Sequence, residues 1–299
     1  MSNILITGGA GFIGTNLIKK LIHNRHSVVS IDNYSSGKKE NHQDGCSYYD
    51  VDLSKPFSIE KLNNGEFDII FHLAALARIQ PSIVKPFKTI QNNFNGTLNI
   101  LEYARKNSIQ VVYAGSSSKH HGLYGSPYAW SKYGGEELCK LYSNVYGLNT
   151  SICRFYNVYG QHQLEEGEYA TVIGIFEKQF KEGKPLTITG DGEQRRDFTH
   201  VGDIVNGLIA CIKKIFKAES FELGKGFNYS INEVADMFGV DYPKEYIPKR
   251  KGEYPYTLAD YTKAETLLNY KPTQNLKSYI ATKLNRNAIK ILTSSYSYV

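Results

Sequence analysis

The feature that most constrains this chain is a run of glycines between two apolar segments of different period. Ile4-Leu5-Ile6-Thr7 has the character of a short strand and stops at Gly8-Gly9-Ala10-Gly11-Phe12-Ile13-Gly14, after which Leu17, Ile18, Leu21 and Ile22 recur at helical spacing. The pattern predicts a strand, a glycine turn and a helix. Glycine allows a tight turn and close approach of a ligand to the backbone, and the first amides of the new helix, at its positive dipole end, favour a pyrophosphate. A turn that merely packs a strand on a helix would use the same glycines. The second strand, Val28-Val29-Ser30-Ile31, ends in Asp32, roughly 20 residues on, where a ribose-binding acid belongs. A carboxylate there accepts bonds from two ribose hydroxyls and repels a 2′-phosphate, so the expected cofactor is NAD rather than NADP.

With 299 residues, 41% hydrophobic and 21% charged, the chain can bury a substantial core as one large domain or two modest ones. No apolar stretch approaches the ~20 residues needed to cross a bilayer, and the first strand begins at once, without room for a signal peptide. The expectation is a cytoplasmic enzyme without a membrane partner. Cys46, Cys139, Cys153 and Cys211 lie far apart without metal-ligand spacing and read as reduced thiols, so no metal site is expected. The net charge of +6 is spread along the chain, and its longest basic run is Lys249-Arg250-Lys251. That argues against nucleic acid and fits either an anionic small molecule or simple solubility.

Downstream, Asn33-Tyr34-Ser35-Ser36-Gly37 forms a turn beside the expected ribose site, and Asp50-Val51-Asp52-Leu53 reads as the end of a third strand. Phe67 to Ala75 is a nearly continuous apolar fourth strand, as expected of a parallel strand covered on both faces, and Ala74 and Ala75 leave room for a cofactor. His72 within it reads as a hydrogen-bonded core histidine. A helix through Asn92 to Leu101 and a fifth strand, Val111-Val112-Tyr113-Ala114, continue the alternation. The fold class is therefore α/β, a doubly wound parallel (Rossmann) sheet, with ligands beyond the carboxyl ends of its strands. The fifth strand leads into Gly115-Ser116-Ser117-Ser118, and a helix then opens at Ser126-Pro127-Tyr128-Ala129-Trp130-Ser131-Lys132. Tyr128 and Lys132, four apart, share one helix face, so the ammonium can lower the phenol pKa from about 10 toward working pH. Such a tyrosine can take or return a hydroxyl proton, with Ser116 orienting the same oxygen.

These motifs, together with His72-Leu73-Ala74-Ala75 and Asn92-Asn93, resemble the extended short-chain dehydrogenase/reductases, and among them the nucleotide-sugar epimerases and dehydratases, most of all the UDP-sugar 4-epimerases. The likeness runs to about Tyr270. It implies catalytic Ser116, Tyr128 and Lys132. It also implies cofactor contacts from Gly8, Gly11, Phe12, Ile13, Gly14, Asp32, Asn33, Ser36, Gly37, Asp52, Leu53, Leu73, Ala74, Ala75 and Asn93, joined by Tyr128 and Lys132. Arg154-Phe155-Tyr156-Asn157-Val158-Tyr159-Gly160 is similar to the segment that presents an asparagine to the substrate diphosphate, here Asn157. The segment around Val172 resembles the helix start beneath the nucleotide. The segment from Leu186 through Thr189 to Phe198 resembles the strand and turn around the base, with Arg196 the implied phosphate ligand. Arg250-Lys251-Gly252-Glu253 resembles the family's Arg-x-Gly-Asp, with glutamate for aspartate. Two arginines suit a diphosphate because a guanidinium offers forked, permanently charged donors, although either could serve in a surface ion pair.

The expected architecture is a cofactor domain of residues 1–156 to which 198–216 returns, and a smaller mixed α/β lobe of 157–197 and 217–299, with the site in the cleft between them. The resemblance implies that Tyr128 removes the C4 hydroxyl proton of a nucleotide-diphosphate sugar such as UDP-glucose or UDP-N-acetylglucosamine while NAD oxidises C4, after which the 4-keto sugar is reduced on its other face. Dehydratases and decarboxylases of this kind carry an acidic residue just after the position of Ser116, whereas this chain has Ser117 and Ser118, which favours plain epimerisation. A nucleotide-sugar 4-reductase or other single-pass dehydrogenase is the alternative enzyme, and a dinucleotide sensor without turnover is the alternative class. The chain also departs from the family. The loop between Ser118 and Tyr128, which holds His120 and His121, is short, and these histidines read as exposed. Position 78, commonly small, is Arg78, either facing solvent or offering the sugar an extra cation that hints at an acidic substrate. Thr257, where the family sets pocket size, suggests room for an N-acetyl group. A homodimer formed through the helices after Asn92 and Tyr128 is expected by analogy.

Overall fold

The computed structural model describes residues 1–55, 66–120 and 122–295. Among these, seven strands make one parallel sheet: Asn3–Thr7 (β1), Ser27–Asp32 (β2), Cys46–Asp50 (β3), Ile69–His72 (β4), Gln110–Ser116 (β5), Thr150–Phe155 (β6) and Lys217–Leu223 (β7). Their order across the sheet is β7-β6-β5-β4-β1-β2-β3, so the direction of winding reverses between β1 and β4. At such a reversal the connections leave in opposite directions and a crevice opens beyond the strand ends.

The two faces of the sheet explain why its strands read as unbroken apolar runs. In β1, Ile4 and Ile6 pack with Leu17, Ile18 and Leu21 of the helix Phe12–His23 and with Ile204, Val205 and Leu208 of the helix Val201–Ile209. Leu5 points the other way, into a cluster with Ile100, Leu101 and Ala104 of the helix Gly96–Asn107 and with Cys139 and Tyr142. Each large apolar side chain so buried contributes about 1.5–3 kcal/mol. The four cysteines are free thiols; Cys139, Cys153 and Cys211 are buried and Cys46 is half-buried. Among the described residues no helix is long and apolar enough to cross a membrane.

Lys217–Leu223, expected in the smaller lobe, is instead the edge strand of the sheet, paired along β6. Glu219 and Ser220, two successive polar residues, interrupt its apolar alternation, while Phe221 and Leu223 are fully buried. The helix Thr262–Leu268 also places Ala264 and Leu268 against the sheet. The smaller lobe has its own core, built from Ile173, Phe176, Leu186, Ile188, Val234 and Phe238 among others. It is framed by two short strand pairs, Lys244–Ile247 on Leu186–Thr189 and Asn228–Ser230 on Arg195–Asp197.

Candidate active site

A cavity of about 1020 Å³ runs from the β1–β4 reversal into the smaller lobe. That is at the upper end for small-molecule sites and suits two ligands end to end. The glycine turn forms one end. Gly8 has φ +72°, and a Cβ on it would lie 2.9 Å from the Ala74 backbone; a Cβ on Gly14 would lie 2.3 Å from the Gly8 carbonyl oxygen. Gly11 starts the helix Phe12–His23, which has no side-chain cap, so its first amides are left for a ligand. Gly8, Gly11, Phe12, Ile13 and Gly14 line this end together with Asp32, Asn33, Ser36, Leu53, Leu73, Ala74 and Ala75. Asp32 is 8% exposed and held by the amides of Ala10 (3.0 Å) and Tyr34 (2.8 Å). Burial pushes its carboxyl upward and these amides oppose the shift. A dinucleotide fits this end: bare helix amides for a pyrophosphate, a fixed carboxylate for a ribose, and no Cβ where the chain comes closest.

Three expected cofactor residues do not reach the cavity wall. Asp52 accepts bonds from the amide and hydroxyl of Ser54 and faces Lys55. Gly37 lies behind Asp32, where a Cβ would be 2.9 Å from Oδ2. Asn93 is buried and serves as a brace, accepting from the Leu76 amide and donating to Ser131 Oγ. Its neighbour Asn92 lines the cavity instead.

At the centre of the cavity stand Ser116, at the end of β5, and Tyr128 and Lys132 on the helix Pro127–Tyr146. Ser126 caps this helix by accepting from the Ala129 amide, Pro127 supplies a first-turn residue that needs no amide partner, and Gly147 ends it at φ +68°. Tyr128 Oη donates to Ser116 Oγ at 3.4 Å. The Ser118 hydroxyl donates to Ser116 Oγ at 2.9 Å, and the Ser118 amide lies 3.2 Å from the same oxygen.

Lys132 is 4% exposed, with Nζ 4.3 Å from the centre of the Tyr113 ring, while the Tyr113 hydroxyl donates to the Lys132 carbonyl. Burial lowers its pKa to about 8, and Glu136 opposes the shift. The electrostatics of the pair differ from expectation. Burial raises the Tyr128 phenol, and the influences that oppose this are the Ser116 hydrogen bond and the charge of Arg78, not Lys132. The Lys132 ammonium lies instead over an aromatic face and in the field of Glu136.

Residues that spacing alone did not single out hold this centre from behind. Arg154 pairs with buried Glu136 and with Glu222, each at 2.7 Å, and Glu222 accepts from Tyr156 at 2.9 Å. His120 is exposed, as expected, and meets Glu222 at 2.8 Å; His121 lies outside the described residues. His72 is a core histidine as expected, bonded to Thr7 (2.7 Å) and Thr97 (3.0 Å), and burial lowers its pKa to about 3.

In the other half of the cavity the walls carry Arg78, Ser117, Ser118, Asn157, Val172, Thr189, Arg196, Arg250, Glu253 and Thr257, drawn from six separate stretches of chain. Asn157 donates to Thr257 Oγ1 at 3.3 Å, and the Asp197 amide donates to the same oxygen at 3.1 Å. Thr257 is thus fixed in place and 2% exposed. Burial lowers the Arg196 pKa, and Glu253 opposes that shift. Tyr254, a wall residue that the sequence did not mark, packs against Gly122 of the short loop.

The model of the NAD dependent epimerase/dehydratase family matches residues 4–224, about three quarters of the chain, including the glycine turn, Ser116, Tyr128 and Lys132. The chain belongs to this family. A putative UDP-glucose 4-epimerase of Methanocaldococcus jannaschii is 36% identical over 94% of this chain and 97% of its own length. The crystal structure of a UDP-glucose 4-epimerase from Thermotoga maritima with UDP-glucose superposes with a TM-score of 0.89 at 30% identity, covering 97% of this chain and 99% of that one. A UDP-glucuronic acid 4-epimerase from Bacillus cereus, solved with UDP-glucuronic acid and NAD, superposes with a TM-score of 0.84 at 28% identity, covering 96% and 99%. As a member of the epimerase/dehydratase family the chain takes NAD as its cofactor, in agreement with the fit of the glycine end.

Proposed function

We propose that this protein inverts C4 of a nucleotide-diphosphate sugar, of the UDP-glucose or UDP-N-acetylglucosamine type, through a transient 4-keto sugar. The observation that carries this reading is the Tyr128–Ser116 hydrogen bond at the junction of the two halves of the cavity, with serines and no carboxylate at positions 117 and 118. Bound at the glycine end, NAD supplies the reversible oxidation of C4. Gly8, Gly11, Gly14, Asp32, Ala74 and Ala75 hold it there, with Asn33, Ser36, Leu53 and Leu73 completing the wall. Tyr128 takes the C4 hydroxyl proton and gives it back, Ser116 donates to the same oxygen, and Lys132 bonds the nicotinamide ribose, while the charge that favours the ionised phenol is that of Arg78. Arg196 and Arg250 take the diphosphate, Asn157 faces it, and Val172, Thr189 and Glu253 border the nucleotide. Elimination of water needs a carboxylate to move a second proton, and Ser117 and Ser118 cannot serve. The protein acts in the cytoplasm as a homodimer. Trp130, Leu141 and Val145, exposed on the helix Pro127–Tyr146, support that pairing.

The test follows the anomeric protons of UDP-glucose and UDP-N-acetylglucosamine by NMR without added cofactor. The galacto epimer is expected from the wild type, and Tyr128→Phe should slow its formation by about 100- to 10,000-fold while NAD stays bound. Reduced cofactor accumulating with no epimer would identify a single-pass dehydrogenase instead.

A further inference from the structure

The charged side chains along the substrate half of the cavity are Arg78, Lys85, Glu168, Arg196, Arg250 and Glu253. Both carboxylates are matched: Glu168 pairs with Lys85 at 3.2 Å, and Glu253 acts on Arg196. Under the epimerase reading, Arg196 and Arg250 are used by the diphosphate. Arg78 is left over. Among the described residues it has no ion-pair partner, and its one hydrogen bond is from Nε to the Tyr169 carbonyl oxygen at 3.1 Å. That bond fixes the plane of the guanidinium and leaves both terminal amino groups unused. Arg78 is half-buried in the wall, where an unpaired cation is costly, and its charge acts on the Tyr128 hydroxyl. Arg78 and Tyr128 line the same cavity, and under the epimerase reading the sugar oxygen that meets Tyr128 is the one on C4, which places Arg78 toward the substituents of the carbons flanking C4.

We propose that Arg78 anchors a carboxylate carried next to C4, so that the preferred substrate is an acidic nucleotide sugar. The planar fork can grip a carboxylate with two charge-assisted bonds, and no bond is made or broken in doing so. Two sugars offer the group, a uronate through C6 and a muramate through the lactyl ether on C3. The proposal rests on the epimerase reading for the identity of C4.

Binding to the NAD-loaded protein is measured by calorimetry for two matched pairs: UDP-glucuronate against UDP-glucose, and UDP-N-acetylmuramate against UDP-N-acetylglucosamine. One acid is expected to bind about 10- to 100-fold more tightly than its neutral partner. Arg78→Gln should bring that ratio near one, and Arg78→Lys should keep part of it. The pair that responds distinguishes C6 from C3. Because Arg78 also acts on Tyr128, turnover of both members of a pair should fall together in Arg78→Gln, and only the ratio reports the anchor. A ratio unmoved by Arg78→Gln, or no preference for either acid in the wild type, would overturn the proposal. Failure of the epimerase reading would look different: the binding preference would survive and no C4 inversion would be detected with any of the four sugars.

Discussion

The two halves of the cavity are made of different material. The cofactor half is shaped by backbone: Gly8 and Gly14 where a Cβ would strike main-chain atoms, Ala74 opposite, and helix amides without a side-chain cap, with the carboxylate of Asp32 at its end. The substrate half is shaped by side chains, with Arg78, Asn157, Arg196, Arg250 and Thr257 brought from far apart in sequence. A backbone site tolerates almost no change at a few positions and fixes one ligand. A side-chain site can be rewritten residue by residue, which suits a fold whose relatives share NAD and differ in the sugar named for them.

Breaking the first half should have the largest effect. In Gly14→Ala the new Cβ meets the Gly8 carbonyl and the Gly9 Cα, neither of which can yield as a flexible side chain would. NAD binding should weaken on the order of 100-fold or more, measured as cofactor retained after gel filtration, while affinity for a UDP-sugar changes little. Equal loss of both ligands would show that the halves are not separate. Arg196→Gln should do the reverse. With one charged fork gone, the KM for the nucleotide sugar should rise about 10- to 100-fold with NAD content unchanged. An unaltered KM would remove Arg196 from the diphosphate site.

How much of each half could be read from the sequence follows the same division. The glycine turn, Asp32 and the Tyr128–Lys132 face are local: their geometry follows from spacing along a strand, a turn or a helix. Three things were hidden. The chain makes a π-helical turn over Gln91–Asn95, and the extra residue per turn sends Asn92 toward the cavity while Asn93 turns inward to Leu76. The ion pairs Glu136–Arg154–Glu222 join residues 18 and 68 apart, a separation no periodicity reports. Tyr113 reaches Lys132 only because Gly135, whose Cβ would lie 2.2 Å from the Tyr113 hydroxyl oxygen, leaves room. The residues expected in the substrate half rest on likeness to relatives, since nothing local marks a threonine or an arginine as part of a cavity wall.

A further effect concerns stability at His72, in the cavity wall. His72 has a folded pKa of about 3 against 6.5, so its contribution is complete above pH 6.5 and is lost as the pH falls toward 3. Between pH 7 and 4.5 this should remove about 2–3 kcal/mol, read from urea unfolding at the two pH values. In His72→Gln that part of the slope should vanish. If the variant kept the full slope, the acid sensitivity would belong to the carboxylates rather than to His72.

Under the proposed function both halves meet at one carbon, beside Tyr128 and Ser116. The most direct test supplies a UDP-sugar deuterated at C4, without added cofactor, and locates the label in both epimers by NMR and mass spectrometry. Deuterium is expected to stay at C4 in substrate and product alike, with none released to water. Label lost to solvent, or found on a neighbouring carbon, would contradict that function.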